Sequence, residues 1–256
     1  MTPLPVSAQI RVHLPSDALI ACELQREWRK TVVTRKERFE FDAGERAGAM
    51  DALAAWITQG PPRRSIVWII GPTEAQYFVL PWSPALIDRG MRDAYARARY
   101  EQLFEQDASG AAFYFAAPSD GNGQLVSCVP IELPAELAAH ALRTESELLG
   151  IKPAISMVWD RFRDVLETEQ GTLCVVDGDR QAIVEHDRKR IEGIVVKPRG
   201  KSPALPARRE GVLRRFSNEP SRAQPSASSV DLSLPAQNGF VATQDAAYAF
   251  ALCGAL

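Results

Sequence analysis

Residues 171–197 read GTLCVVDGDRQAIVEHDRKRIEGIVVK, and the order of apolar and polar runs inside them decides the fold class. Three β-rich runs stand close together, at 173–176, 181–185 and 191–197. The first is apolar throughout, the pattern of a strand covered on both faces. Asp177-Gly178-Asp179 makes a turn between the first two, because glycine tolerates positive φ and aspartate bonds nearby backbone. His186-Asp187-Arg188-Lys189 is a second polar break. Strands joined this tightly predict an antiparallel meander. A turn at the end of a buried strand is also where bare N–H groups can cradle a phosphate.

A second set of short strands opens the chain. Apolar runs at 10–14 and 18–24 flank Pro15-Ser16-Asp17, and 31–41 carries Val33, Phe39 and Phe41 between charges, as a strand with one wet face does. Asp42 with Glu45 three residues on reads as a capping box for a helix to about Thr58, with Ala49, Leu53, Ala54, Trp56 and Ile57 inward. Gly60-Pro61-Pro62 ends it. Residues 65–70 form a continuously apolar strand, expected to be central and parallel to the first.

Between these two sets lies a run of different character. A strand at 75–80 leads to Ser83-Pro84, an N-cap followed by proline, and to one long helix over 84–106. Ile87, Met91, Ala94, Tyr95 and Ala98 recur at helical steps and are expected inward, while Arg89, Arg92, Arg97 and Arg99 lie mostly off that face, as a solvated face or as a contact for an anionic partner. Strands at 111–117 and 124–131 flank the polar tip 118–123, a hairpin. A helix is expected over 134–150, stopped by Gly150, and 155–166 is expected as a short strand leading into a helix. After Pro198 the chain turns Pro-, Ser- and Arg-rich and reads as a linker or extended arm. Residues 242–256 return to an apolar helical rhythm through Ala246, Ala249, Phe250 and Cys253, which predicts docking on the body.

Composition narrows the class. With 256 residues, 46% hydrophobic, 24% charged and a net charge of -2, the chain is an ordinary globular protein that bulk charge does not direct to nucleic acid. Cys22, Cys128, Cys174 and Cys253 lie far apart without ligand spacing, which fits free thiols in a reducing compartment and argues against zinc. No leader pattern opens the sequence and no apolar run approaches the ~20 residues of a membrane span, so a cytoplasmic protein is expected. His13, His140 and His186 are isolated, Glu132 and Glu136 suit a helix start, and no Walker, dinucleotide or G-x-S-x-G motif occurs.

The order of elements resembles the actin-like ATPase superfamily with an FtsA-type inserted subdomain. It is most similar to the PilM family of type IV pilus assembly and the cytoplasmic domains of the GspL family of type II secretion. The stretch from Ser65-Ile66-Val67-Trp68-Ile69-Ile70-Gly71-Pro72 to Pro81, the helix and hairpin over 84–131, and Asp245-Ala246-Ala247-Tyr248-Ala249-Phe250-Ala251-Leu252-Cys253-Gly254-Ala255-Leu256 carry the likeness. The resemblance implies an α/β fold of mixed sheets with flanking helices. The units expected are a first subdomain at 8–71, an insertion at 72–150, a shortened second lobe at 151–198, an arm at 199–238 and a closing helix at 239–256.

Actin-like ATPases wrap phosphate and Mg²⁺ between two turns rich in Asp, Gly and Ser/Thr. Here the first, Leu14-Pro15-Ser16-Asp17-Ala18, has no glycine, and Pro15 removes a donor. The second, Asp177-Gly178-Asp179-Arg180-Gln181, has one glycine and no hydroxyl. Gln237-Asn238-Gly239 is the nearest candidate for an adenine-pocket glycine pair. Ser16, Asp17, Asp177, Gly178 and Asp179 are therefore read as vestigial nucleotide-site positions, with no catalytic residue, metal or cofactor expected, ATP and Mg²⁺ being the alternative.

The resemblance implies a non-catalytic scaffold beside an inner membrane, holding a membrane partner's cytoplasmic peptide or a secretion ATPase in a groove or on a strand edge. A nucleotide-binding ATPase or sugar-kinase-like enzyme of the same superfamily is the alternative, and an unrelated α/β binding domain a third. A basic run that includes Arg188, Lys189, Arg190, Arg208, Arg209, Arg214 and Arg215 reads as a solvated arm or as a contact for anionic lipid.

Overall fold

The computed structural model describes residues 8–27, 30–42, 44–117, 122–199, 211–219 and 229–255. The chain opens with strands β1 (Ala8–Leu14), β2 (Ala18–Glu27) and β3 (Lys30–Glu40), helix α1 (Ala47–Thr58) and strand β4 (Arg64–Ile70). Strand β5 (Gln76–Leu80), helix α2 (Arg89–Phe104), strands β6 (Ala111–Phe115) and β7 (Gln124–Pro130) and helix α3 (Leu133–Arg143) follow. Then come β8 (Glu147–Pro153), α4 (Ala154–Arg161), α5 (Arg163–Leu166), β9 (Gln170–Asp177), β10 (Arg180–Asp187) and β11 (Arg190–Pro198). Strands β12 (Val212–Ser217) and β13 (Ser229–Asp231) and helix α6 (Ala249–Leu252) complete the described elements.

Two five-stranded sheets repeat one design. The first has the order β3-β2-β1-β4-β8, and the second β11-β10-β9-β12-β13. In each, an antiparallel meander places its first strand in the middle, and two further strands add in parallel. The central strands are the apolar ones: Ile66 to Ile70 of β4 and Val175 to Asp177 of β9 are all buried. Hydrophobic side chains of both sheets join one core, in which Ile10, Trp68, Leu173, Phe216 and Phe250 are fully buried.

The insertion between β4 and β8 has its own sheet, β5-β7-β6, and its own small core of Phe78, Leu80, Ala96, Tyr100 and Val126 under α2. Arg46 ties it to the first lobe, donating to Glu136 at 2.8 Å and to Glu74 at 3.2 Å. His140 of α3 also bonds the Met50 carbonyl of α1 at 3.1 Å.

Several elements differ from the sequence expectation. Helix α1 begins at Ala47 with no side-chain cap, and the Glu45 N–H bonds the Asp42 carbonyl in a turn before it. The long helix is two pieces. Ser83 caps a single 3₁₀ turn (Pro84–Ile87), and extended Asp88 then caps α2 by accepting the Met91 N–H at 2.8 Å. The face of α2 is also opposite to the one expected. Ala96 and Tyr100 are buried, Arg92 and Arg97 lie over the rings of Phe115 and Phe113, and Ile87, Met91 and Tyr95 are exposed. Arginine stems cover apolar surface and keep their charge wet, so Arg92 and Arg97 lie against the rings while Arg89 stays exposed.

Helix α3 stops at Arg143. The Thr144 hydroxyl bonds the His140 and Ala141 carbonyls, Glu145 turns left-handed at φ 51, and the next residues form β8. The chain thus re-enters the first lobe before residue 150, and the stretch expected as a strand and helix is two short helices, α4 and α5, separated by a turn at Phe162. The arm expected over 199–238 supplies β12 and β13 to the second sheet, and the remainder of it lies partly outside the described residues. The second lobe therefore keeps its strand order, and among the described residues no helix joins β11 to β12. The hairpin tip 118–121 lies outside the described residues.

The closing segment is a 3₁₀ turn (Ala246–Tyr248) running into α6, and it docks as expected. Phe250 and Leu252 are fully buried, worth about 1.5–3 kcal/mol each by transfer. Arg11 of β1, itself buried, donates to the Ala251 and Cys253 carbonyls, the latter at 2.7 Å.

Candidate functional site: the junction of the two lobes

Strands β1 and β9 hold equivalent positions in the two sheets, and each ends in a tight turn. The turns face each other: a Cβ built on Gly178 would stand 3.5 Å from Ser16 Oγ. This is where the repeated design could hold an anion, with one turn from each lobe.

The junction is instead filled by the chain's own side chains. Asp177 is fully buried. Its Oδ2 lies 2.9 Å from His13 Nε2, and its Oδ1 accepts from Asn218 Nδ2 at 3.1 Å. A carboxylate only accepts, so His13 carries its proton on Nε2. Gly71, just after β4, packs so closely that a Cβ there would lie 2.1 Å from Asp177 Oδ2. Strand β1, the end of β4, strand β9 and the residue after β12 thus converge on one carboxylate.

Aromatic rings extend this junction. His13 lies 4.8 Å from Phe250, Phe250 lies 5.0 Å from Phe216, and Phe216 lies 5.6 Å from Phe162. Helix α6 thereby wedges its phenyl ring between β1 and β12. From the insertion, the Tyr77 phenol is buried and its pKa is raised, chiefly by desolvation and next by the Asp177 charge. No partner meets the Tyr77 hydroxyl, His13 Nδ1 or Asn218 Oδ1 among the described residues.

Of the five vestigial positions, the structure brings Ser16, Asp177 and Gly178 together. Asp17 is exposed and pairs with Arg38 of β3 at 3.0 Å. Asp179 is exposed, 4.0 Å from Arg180. The carboxylate that stands at the junction, Asp177, is already engaged by His13 and Asn218, which fits a Mg²⁺-triphosphate poorly there, because the cation would have to take its ligands from that group. Sequence reasoning missed His13, Gly71 and Asn218. The available signal was positional: His13 and Asp177 each stand at the end of the leading strand of a meander.

The basic run does not form one surface. Arg188, Lys189 and Arg190 are exposed at the β10–β11 turn, with Arg188 left-handed at φ 50. Arg214 is buried and pairs with Glu169, a correction to its reading as a lipid contact, because its strand turns it over the sheet. Arg215 is half-buried, and Arg208 and Arg209 lie outside the described residues. Among the described residues no helix is long and apolar enough to cross a membrane.

The topology defines the class: this chain has the actin-like ATPase fold, with two lobes of repeated sheet order and an insertion in the first. Its similarity to particular solved structures is extensive in coverage and low in identity. It matches the cytoplasmic domain of EpsL, an inner membrane component of the type II secretion system of Vibrio cholerae, at 12% identity and TM-score 0.59, over 96% of this chain and 94% of that one. It matches a PilM-PilN type IV pilus biogenesis complex at 13% identity and TM-score 0.55, over 74% of this chain and 61% of that one. A Bacteroides thetaiotaomicron protein with actin-like ATPase fold and unknown function matches at 8% identity and TM-score 0.51, over 76% and 70%. No family model and no curated protein sequence matches.

Proposed function

We propose that this chain is a non-catalytic scaffold of an inner-membrane machine of the type II secretion or type IV pilus kind. Its task is to hold a membrane partner's cytoplasmic segment or a secretion ATPase. The observation that carries the reading is the bonding of the Asp177 carboxylate. It is held by His13 and Asn218 against Gly71, in the space between the two turns. A phosphate there would meet a buried anion at contact distance, an arrangement that costs several kcal/mol unless a counter-ion intervenes. The likeness of fold to the EpsL domain and PilM supports the assembly role. The exposed turn at Arg188, Lys189 and Arg190 is the surface through which the scaffold would lie on anionic lipid.

Calorimetry with ATP, ADP and Mg²⁺ tests this reading. The expected result is no binding below millimolar concentration and no phosphate release. Micromolar binding with turnover overturns it. Vesicles of phosphatidylglycerol test the lipid contact, and flotation unchanged by reversing Arg188, Lys189 and Arg190 to glutamate removes it. One observation favours a nucleoside-binding alternative: a cavity of about 360 Å³ between β12 and the closing segment, walled by Arg215, Phe216, Asp231 and Phe240. Adenosine binding that Phe240→Trp abolishes selects that alternative.

A further inference from the structure

We infer that the insertion ends in a bilayer-insertion face, built from Trp82, Ile87 and Met91, that enters the headgroup region of an anionic membrane beside the basic turn. The inference deepens the lipid contact proposed above and rests on that reading for the role of Arg188, Lys189 and Arg190. The topology brings these residues to one end of the molecule. Strand β5 ends at Leu80, and the chain passes through Trp82 and the 3₁₀ turn into α2. Strand β7 begins there too, with Gln124 paired to Leu80. A Cβ built on Gly123 would stand 3.1 Å from the Leu80 carbonyl oxygen and 3.6 Å from that of Ile191. Ile191 opens β11, directly after the turn that carries Arg188, Lys189 and Arg190. The end of β5 and the basic turn are therefore neighbours.

The apolar side chains at this end stand proud of the surface. Ile87 is 76% exposed, Met91 56% and Trp82 47%. The 3₁₀ turn that holds Ile87 packs on α2. Met91 lies on the face of α2 turned away from buried Ala96 and Tyr100, and exposed Tyr95 continues that face one turn on. Large apolar groups gathered in this way mark an interaction site.

Charge and shape choose the occupant. Arg89, Arg188, Lys189 and Arg190 are exposed, and among the described residues no ion pair engages them. Of the carboxylates on the same segments, Asp88 caps α2 and Glu192 is engaged within the chain, which leaves Asp187 against four cations. Anionic headgroups match that excess, whereas a second copy brings the same excess and opposes it. A partner helix seats its apolar face in a groove, but here the apolar groups protrude. Protruding apolar side chains suit burial about 5–10 Å into the headgroup and acyl boundary, the depth at which tryptophan and tyrosine are enriched. A basic cluster alone is a weak tether, and apolar insertion beside it supplies the second signal that stable anchoring takes.

Flotation of the full chain with vesicles of phosphatidylglycerol and phosphatidylethanolamine tests the face. The triple variant Trp82→Ser/Ile87→Ser/Met91→Ser leaves every charge in place. It is expected to weaken vesicle binding at least tenfold with the melting temperature unchanged, since all three positions are exposed. Brominated acyl chains are expected to quench the tryptophan fluorescence of the parent and to spare that of Trp82→Phe. Several results overturn the inference: no flotation of the parent, equal binding to phosphatidylcholine vesicles, equal binding by the triple variant, quenching unchanged in Trp82→Phe, or self-association that the triple variant abolishes. Glutamate reversal of the basic turn decides the lipid contact and nucleotide calorimetry the scaffold reading, whereas the triple variant decides insertion alone, so each failure is distinguishable.

Discussion

His13 Nε2 donates to Asp177 Oδ2 at 2.9 Å, and both side chains are fully buried where β1 and β9 end side by side. The bond joins residues 164 positions apart and crosses from one lobe to the other. Removing one member strands the other without solvent. Asp177→Ala and His13→Ala are each expected to cost about 3–5 kcal/mol, the range for breaking a buried pair. Urea unfolding followed by tryptophan fluorescence measures it, and a loss below 1 kcal/mol for both variants contradicts a stabilising role for this bond.

Gly71 is the steric counterpart of that pair. Gly71→Ala puts a methyl 2.1 Å from the Asp177 carboxylate oxygen, and the overpacking is expected to cost about 1–3 kcal/mol. The same substitution in an Asp177→Ala background is expected to cost much less, because the clashing atom is gone. Additive losses in that double-mutant cycle show that the contact is not the cause.

The face of α2 gives a cleaner stability test. Met91→Glu and Tyr95→Ser alter exposed side chains and are expected to stay within about 0.5 kcal/mol of the parent. Ala96→Leu forces a larger side chain into the fully buried position beneath the helix and is expected to cost about 1–3 kcal/mol. The opposite ranking places the apolar stripe inward.

His140 and His186 set an acid limit. Burial pushes both imidazoles below the ordinary value, helped by Arg143 for His140 and by Arg214 for His186. The folded protein keeps them neutral while the unfolded chain protonates near pH 6.5, so the unfolded state binds more protons below that point. Their contribution is present above about pH 6.5 and is lost as pH falls through the lowered folded values. Melting temperatures from pH 7.5 to 5 are expected to fall, and the slope is expected to flatten in a His140→Gln/His186→Gln double variant.

Arg11→Met keeps the length of the side chain and removes its donors to the Ala251 and Cys253 carbonyls. Two buried acceptors then lose a partner, at about 1–3 kcal/mol each. Faster hydrogen exchange at the amides of α6, with the strands of the second sheet unchanged, is the expected signature.

Much of the fold was legible because period and turn chemistry agreed. The meander at 171–197, the apolar β4 and the docked closing segment all read correctly. Strand β12 did not, since VLRRFS carries two adjacent arginines, and only its partner Glu169 lets Arg214 go inside. Strand β8 was hidden for a related reason: leucines at 148 and 149 continue a helical pattern that Thr144 and Glu145 had already ended. On α2, hydropathy put the arginines outside, while Phe113 and Phe115 offered rings for them to cover. The site was half visible. Asp177 and Gly178 showed in a turn motif, but His13 and Asn218 gain meaning only when two sheets meet, which no local pattern encodes.

The Arg11 contact has a further effect, on the making of the protein. Strand β1 reaches its buried state only with residues 251 and 253 in place, some 240 positions later in translation. A ribosome adding about 5–20 residues per second leaves the first lobe waiting on the order of ten seconds or more for its missing wedge. During that interval the lobe exposes the seat of Phe250, so burial of the first strand depends on a segment translated long after it.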